Sequence, residues 1–400
     1  MQKCNKCATR SKPCWPSHRS LARHSAVVKN AILFTHINPV IHGQAMMANV
    51  LLNQSRSWND VVIHPINAVY DEDRAKLRGF SFGKIARFWQ YLLELQRLVC
   101  DKNARLLITT FAFFPGPFLK DCALVFFARW ILGCRVLVWV HMDPNRLDLE
   151  NRPLWFKEIA RFLVRSIEGW VACAPSLSRT WPAWTKSKPI REIANGISDT
   201  AGCLTRQAVP GMNHEINALF ISVIDQEKGW RELFDAAEIL CAEFSDVRFL
   251  FRGNIGINEI ETEVKAKFDL GKFPERICYQ GPAYGLEKSE LLLKADIFCL
   301  PSWTEAFPLA LLDAMSYGVP SIVTDVGATR EAVREGIEGV FCEPANTESL
   351  CAALREMLVD RSKLADMGLA ARRRYEAYFT DHVFAEAWHH QINEMTEKFS

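Results

Sequence analysis

The sequence lacks a charge imbalance: 48 Lys and Arg stand against 46 Asp and Glu, for a net charge of +2 over 400 residues. No global field therefore draws the chain towards nucleic acid. It also lacks a long apolar run. The best candidate, 123–133, is interrupted by Arg129 and falls short of the roughly 18 residues that cross a bilayer. No signal peptide is evident, so a cytoplasmic protein is expected. Cys4, Cys7, Cys14 and His18 are ligands by type, but their spacing fits no zinc pattern. The 13 cysteines are odd in number, and Cys134, Cys173, Cys278 and Cys299 sit in apolar runs. They read as small buried hydrophobes in a reducing compartment. Residues 1–30 contain no acidic group and no apolar period, and read as a disordered basic tail or an upstream extension of the true start. Asp71-Glu72-Asp73 has the D-x-D form of a metal motif but no supporting context. It reads as a solvated loop, and neither a catalytic metal nor a cofactor is expected.

What is present is an alternation of apolar strands and helices. Strands are expected at 31–35, 61–63, 106–109, 136–140 and 169–173, then again at 218–223, 247–251, 277–279, 297–300 and 321–324. This α/β rhythm, twice over, predicts two doubly wound Rossmann-like domains. The expected division is a first domain over 31–200, a linker over 198–216 and a second domain over 217–380. Asn195-Gly196-Ile197 reads as the turn closing the first domain. A last helix over 381–397 is expected to cross back to the first domain. Length allows each domain its own core. Ligands in such sheets sit at the carboxyl ends of strands, where most of the chemically notable residues fall.

The most informative segment is residues 301–320, PSWTEAFPLALLDAMSYGVP. Residues 307–317 are apolar and helix-compatible, Pro308 suits a first turn, and Gly318 and Pro320 stop the helix. Glu305 and Asp313 would lie about 12 Å apart along a continuous helix, the scale of a nucleotide-sugar. Ionised carboxylates suit hydroxyl-rich ligands because each accepts several hydrogen bonds. A buried helix with two incidental acids is the plainer reading of either acid alone.

As a whole, the segment resembles the signature P-S-x-x-E-G-F-G-L-x-x-x-E-A-M-A-x-G-x-P of glycosyltransferase family 4, retaining nucleotide-sugar-dependent enzymes with the GT-B fold. Three of its departures from that signature matter, Ala306, Pro308 and Asp313, the last shortening the second acid by one methylene. The resemblance implies that Glu305 and the backbone of Phe307, Pro308 and Leu309 hold the donor sugar, and Asp313 the ribose. Lys228-Gly229 matches the end of the family's G-R-L-x-x-x-K-G, which places Lys228 on the donor diphosphate, beside helix N–H groups that favour anions. Val223 stands where the family has an arginine, so a second cation must come from elsewhere. His141, after the strand at 136–140, falls where the family has a histidine near the transferred sugar. Gly43, in the His42-Gly43-Gln44 loop, falls in a glycine-containing loop facing the donor. Gly253, Tyr284 and the Gly327-to-Glu331 loop match further elements around the nucleotide. His36 and His64 lie near strand ends without such a match.

The resemblance thus implies a metal-independent glycosyltransferase acting on a nucleotide-sugar donor and a glycan or lipid-linked acceptor, in polysaccharide or glycoconjugate biosynthesis. The alternatives are a sugar-nucleotide epimerase and a non-catalytic partner of another transferase. Residues 84–98 and 152–165 mix Trp, Phe and Leu with Arg and Lys at helical spacing. An ordinary Rossmann helix with snorkelling arginines accounts for this pattern, and so does peripheral contact with an anionic inner membrane face.

Overall fold

The computed structural model describes residues 28–37, 43–69, 82–201, 215–256 and 260–397. Cys4, Cys7, Cys14, His18, His42, the 71–73 triplet and most of the expected linker lie outside these residues.

The chain forms two parallel six-stranded sheets. The first contains β1 (Lys29–Thr35), β2 (Val61–Asn67), β3 (Leu106–Thr110), β4 (Arg135–Val140), β5 (Gly169–Ala172) and β6 (Ile190–Glu192), in the order β2-β1-β3-β4-β5-β6. The second contains β7 (Ile216–Ile221), β8 (Val247–Arg252), β9 (Ile277–Tyr279), β10 (Ile297–Leu300), β11 (Ser321–Thr324) and β12 (Gly339–Cys342), in the order β12-β11-β10-β7-β8-β9. Sheets of this kind are covered on both faces, so their strands are apolar on both sides. In β1, Ile32 and Phe34 enter one core while Ala31 and Leu33 enter the other. Pro65 is accommodated within β2 because β2 is an edge strand.

Helices α1 (Gly43–Ser55), α2 (Phe82–Lys102), α3 (Pro115–Phe126), α4 (Leu154–Ser166) and the short α5 (Pro175–Thr180) belong to the first sheet. Its second face is covered by α1 together with the last helix, while α2, α3 and α4 pack side by side on the first. Around the second sheet lie α6 (Trp230–Glu243), α7 (Glu261–Leu270), α8 (Gly285–Lys294), α9 (Leu309–Ser316), α10 (Thr329–Ala332), α11 (Thr347–Val359) and α12 (Ser362–Tyr378). The final helix, α13 (Asp381–Glu397), buries Phe384, Trp388, Ile392 and Met395 against the first sheet. His389 holds Asp60 at 2.7 Å, and Lys29 donates to Asn393 at 2.7 Å. Among the described residues no helix is long and apolar enough to cross a membrane.

Several local expectations need correction. The helix begins at Leu309 rather than at Phe307, with Pro308 as its cap, because Phe307 turns into the core beside Phe379. Cys278 is only half-buried. The Asn195-Gly196-Ile197 turn is also a seam. Ile197 donates to the Phe379 carbonyl and accepts from Asp381 N–H, and a methyl on Gly196 would meet the Thr380 carbonyl at 2.3 Å. Residues 198–201 are pinned rather than loose: Asp199 pairs with Arg372 at 2.5 Å, and Thr200 meets the Tyr317 hydroxyl at 3.0 Å.

Candidate active site

In the second sheet the chain runs from β7 outward to β9, then returns to place β10 on the other side of β7. That reversal opens a crevice at the carboxyl ends of β7 and β10, the usual ligand position in such sheets. The loop after β7 carries Lys228, and the loop after β10 carries Glu305. Asp225 caps the first loop by accepting from Gln226 N–H at 2.6 Å. Gly229 adopts φ 68°, and a methyl there would lie 2.0 Å from the Pro301 carbonyl. Only glycine permits both the left-handed backbone and this approach. The two loops therefore lock together, and Trp303 N–H donates to the Glu227 carbonyl at 2.8 Å.

The lock brings Lys228 Nζ to 2.6 Å from Glu305 Oε1, which also accepts from Ser302 Oγ at 2.9 Å. On the far side, Gly327 at φ 57° lies against Glu305; a methyl on it would be 2.1 Å from the Glu305 carbonyl. Ala328 N–H donates to the Ala306 carbonyl at 2.9 Å. Glu305 is thus held at backbone and side chain.

A cavity of about 500 Å³ opens between the domains; Lys228, Thr304 and Glu305 line one wall, and His141, Arg146 and Ser176 the other. The β4 strand carries His141 into it, and the His141 ring packs 4.4 Å from Trp139. The domains also touch directly: Ser176 N–H donates to the Glu331 carboxylate at 2.5 Å, and Ser176 Oγ to the Gly327 carbonyl at 3.2 Å.

The structure therefore gathers His141, Lys228 and Glu305 around one cavity. Gly327 also lines it, and the remaining sequence candidates lie around it rather than on its walls. Gly43 starts α1, and a methyl on it would be 3.7 Å from Leu309 Cδ1. Phe307 is buried, so its backbone alone is available to a ligand. Asp313 forms an ion pair with Lys288 of α8. Burial pushes its carboxyl above the ordinary carboxylate range, and the Lys288 charge partly counters that. The Tyr284 hydroxyl accepts from Asn254 Nδ2 at 2.7 Å. Gly253 is a packing glycine: it stands at φ 151°, a methyl on it would lie 1.6 Å from the Ser222 carbonyl, and its N–H donates to Gly281 at 2.9 Å. His64, on edge strand β2, bonds Asn30 at 2.8 Å. Val223 is 39% exposed and brings no charge to the loop after β7.

Sequence reasoning passed over Arg146 and Lys288. Arg146 had one available signal, being a basic residue on the same strand-end loop as His141. Lys288 had none, because its partner lies 25 residues away. Among the described residues no three His, Cys, Asp or Glu side chains cluster as metal ligands would.

Two facing Rossmann-like domains with the ligand crevice between them define the GT-B class of fold. Solved structures agree on the fold. Sucrose-phosphate synthase from Thermosynechococcus elongatus superposes with a TM-score of 0.69 at 16% identity, covering 92% of this chain and 99% of that one. HepE of Anabaena, solved in complex with UDP-glucose, gives 0.66 at 14% identity, covering 92% and 99%. Residues 206–374 match the family model "Glycosyl transferases group 1". The chain is 26% identical to a phosphatidyl-myo-inositol mannosyltransferase of Mycobacterium leprae (strain TN) over 226 residues, which is 55% of this chain and 59% of that protein. It is 28% identical to a D-inositol 3-phosphate glycosyltransferase of Nocardia farcinica (strain IFM 10152) over 145 residues, 36% of this chain and 30% of that protein. The match thus spans less than two thirds of either relative.

Proposed function

We propose that the chain is a retaining glycosyltransferase of family 4, moving a hexose from a nucleotide-sugar to a glycan or lipid-linked acceptor in cell-surface polysaccharide or glycoconjugate biosynthesis. The observation that carries this reading is the Lys228–Glu305 pair at the crevice between β7 and β10, facing His141 across the cavity. In this reading Glu305 accepts hydrogen bonds from the sugar hydroxyls, and Asp313 from the ribose. Lys228 has three donors, so it can keep Glu305 and still reach a phosphate oxygen. His141 bonds the transferred sugar from the other domain. The anomeric bond to phosphate breaks while the acceptor oxygen attacks from the same face, and the acceptor proton leaves on the departing diphosphate. Catalysis rests on charge stabilisation of that diphosphate and on positioning, with no metal required.

A donor screen measuring nucleoside diphosphate release from UDP-, GDP- and ADP-sugars tests the reading. Release is expected with one base, and Glu305→Ala should lower it on the order of 100-fold without unfolding the protein. Full activity in that variant would sink the site assignment. The uncharged Val223 favours one other reading, a non-catalytic partner; nucleotide binding without turnover on any acceptor would support it. Isomerisation of a nucleotide-sugar without an acceptor would point to an epimerase instead.

We also infer peripheral contact with the anionic cytoplasmic face of a membrane through the layer of α2, α3 and α4. Its outer side exposes Phe82 and Trp89 of α2, Trp130 just after α3, and Trp155 of α4. Phe162 stacks on Trp130 with ring centroids 5.8 Å apart. Arg87, Arg97, Arg129, Arg161 and Arg165 lie among them on the same elements, the composition of an interfacial surface.

A further inference from the structure

We propose that Arg146 is the second cation on the leaving diphosphate, filling from the first domain the role that Val223 leaves vacant in the second. This rests on the glycosyltransferase reading above and adds a residue to it.

The charged groups around the cavity are few. Lys228 and Arg146 are the cations, and Asp143, Glu227 and Glu305 the carboxylates. Lys228 already carries Glu305 at 2.6 Å. Without Arg146, a diphosphate entering here would meet one partnered ammonium and three carboxylates, an unfavourable balance at any effective dielectric. A departing nucleoside diphosphate develops charge that must be met by groups fixed in advance. Two cations on two domains would meet it, with one on each side of the cavity.

The Arg146 backbone is held in place. It sits in a single 3-10 turn, Pro144–Leu147, between His141 and the left-handed Asp148. Asp143 Oδ1 accepts from the N–H and the side chain of Asn145 at 2.9 and 2.8 Å, so that carboxylate is turned towards the turn itself. Asn145 Nδ2 also donates to the Thr180 carbonyl at 2.9 Å, tying the turn to the end of α5. The guanidinium, by contrast, makes no hydrogen bond or ion pair with any described residue. Elsewhere in the second domain arginines are engaged: Arg231 with Glu263, Arg252 with Glu287, Arg330 with Asp325 and Arg334 with Glu338. Arg146 is thus a fixed-base, unpartnered fork at the cavity wall, and a guanidinium fork matches phosphate oxygens in pairs.

Because the cation comes from the domain opposite the nucleotide, the diphosphate would also draw the two domains together. A monophosphate, which lacks the outer phosphate, would gain little from it. Calorimetric titration separates these cases: UDP, GDP and ADP are each compared with their monophosphates on wild type, Arg146→Ala, Arg146→Lys and Lys228→Ala, with thermal unfolding as a folding control. Arg146→Ala is expected to weaken the preferred diphosphate about 10-fold while leaving its monophosphate within about 2-fold. Arg146→Lys should restore part of the loss, since it keeps the charge without the fork. Unchanged diphosphate affinity in Arg146→Ala beside a loss in Lys228→Ala would overturn the inference alone. Equal loss of mono- and diphosphate would also overturn it. If wild type bound no diphosphate, the glycosyltransferase reading would fall with it.

Discussion

Asp313 shows how a single buried charge ties stability to pH. Its side chain retains 15% exposure and pairs with Lys288, yet burial dominates and holds its carboxyl above the ordinary range. The sign follows from linkage. An acid whose folded pKa is raised costs nothing extra below its unfolded value, and its full cost is present above the folded one. Lys288 reduces that cost. Replacing it with methionine, Lys288→Met, leaves an uncompensated buried carboxylate and should destabilise the fold by about 3 kcal/mol at neutral pH. The loss should shrink as pH falls through the raised pKa and Asp313 takes a proton. Urea unfolding at a series of pH values checks this, and a pH-independent loss would mean that Lys288 acts by packing alone. Asp60 behaves in the opposite sense. Burial would raise its carboxyl, but the bonds from His389 and Asn393 carry it below the ordinary value. Its contribution to docking α13 is therefore present above the unfolded pKa and is lost as pH falls through the folded one. Given its exposure, Asp60→Asn should cost no more than about 1 kcal/mol.

At the scale of elements, what the sequence made legible was whatever depends on neighbours along the chain. Ten of the twelve strands appear as largely apolar runs because their faces are buried, whereas β6 (Ile190–Glu192) and β12 (Gly339–Cys342) are too short and mixed to stand out. His141 directly follows such a run, and Lys228 and Glu305 lie in the loops after two others, but all three could be singled out only because they also match the pattern of the family that the sequence resembles. The start of α9 was not legible. Residues 307–317 have helical composition, but the backbone at 305–307 is committed to Gly327, Ala328 and the core around Phe379, which delays the helix to Leu309. Lys288 and the seam at Ile197 were hidden for the same reason, since both depend on partners far away in the chain. The last helix makes a comparable long-range connection. Trp388 on α13 is fully buried and lies 4.9 Å from Trp139, which also packs on Phe384 at 5.9 Å and on His141 at 4.4 Å. Trp388→Ala should cost about 3–5 kcal/mol and should also free the His141 ring. We therefore expect a fall in kcat beyond what the unfolded fraction explains, read from activity at a temperature where both proteins remain folded. Full specific activity in the folded variant would break the link from α13 to His141.

For the whole molecule, the two faces of the first sheet serve different purposes. One is closed by α1 and α13 and joins the domains. The other presents α2, α3 and α4 outward with bulky apolar side chains that are exposed among the described residues: Phe82 is 84% exposed, and Trp89, Trp130 and Trp155 are each close to 60%. Scattered exposed apolar residues are ordinary. Here Phe82, Ile85, Trp89 and Leu93 instead recur every three or four residues on α2, one stripe of a helix. Phe162 of α4 meets both Phe126 at the end of α3 and Trp130 just after it. A shallow groove lined by Leu119, Phe126, Ile159 and Phe162 lies between those two helices. Basic side chains on the same elements supply the attraction to anionic lipid, and the indole rings suit the headgroup boundary. The protein should therefore sediment with vesicles containing phosphatidylglycerol but not with pure phosphatidylcholine, and high salt should weaken the binding. Trp89→Ser with Trp130→Ser should reduce partitioning about 10-fold or more while leaving turnover on a soluble acceptor analogue intact. Leu270→Ser is the control, because Leu270 is equally exposed at 84% but stands at the end of α7 in the other domain. If that control weakened binding as much as the tryptophan pair, or if neutral and anionic vesicles bound alike, the α2–α3–α4 layer would not be the docking face.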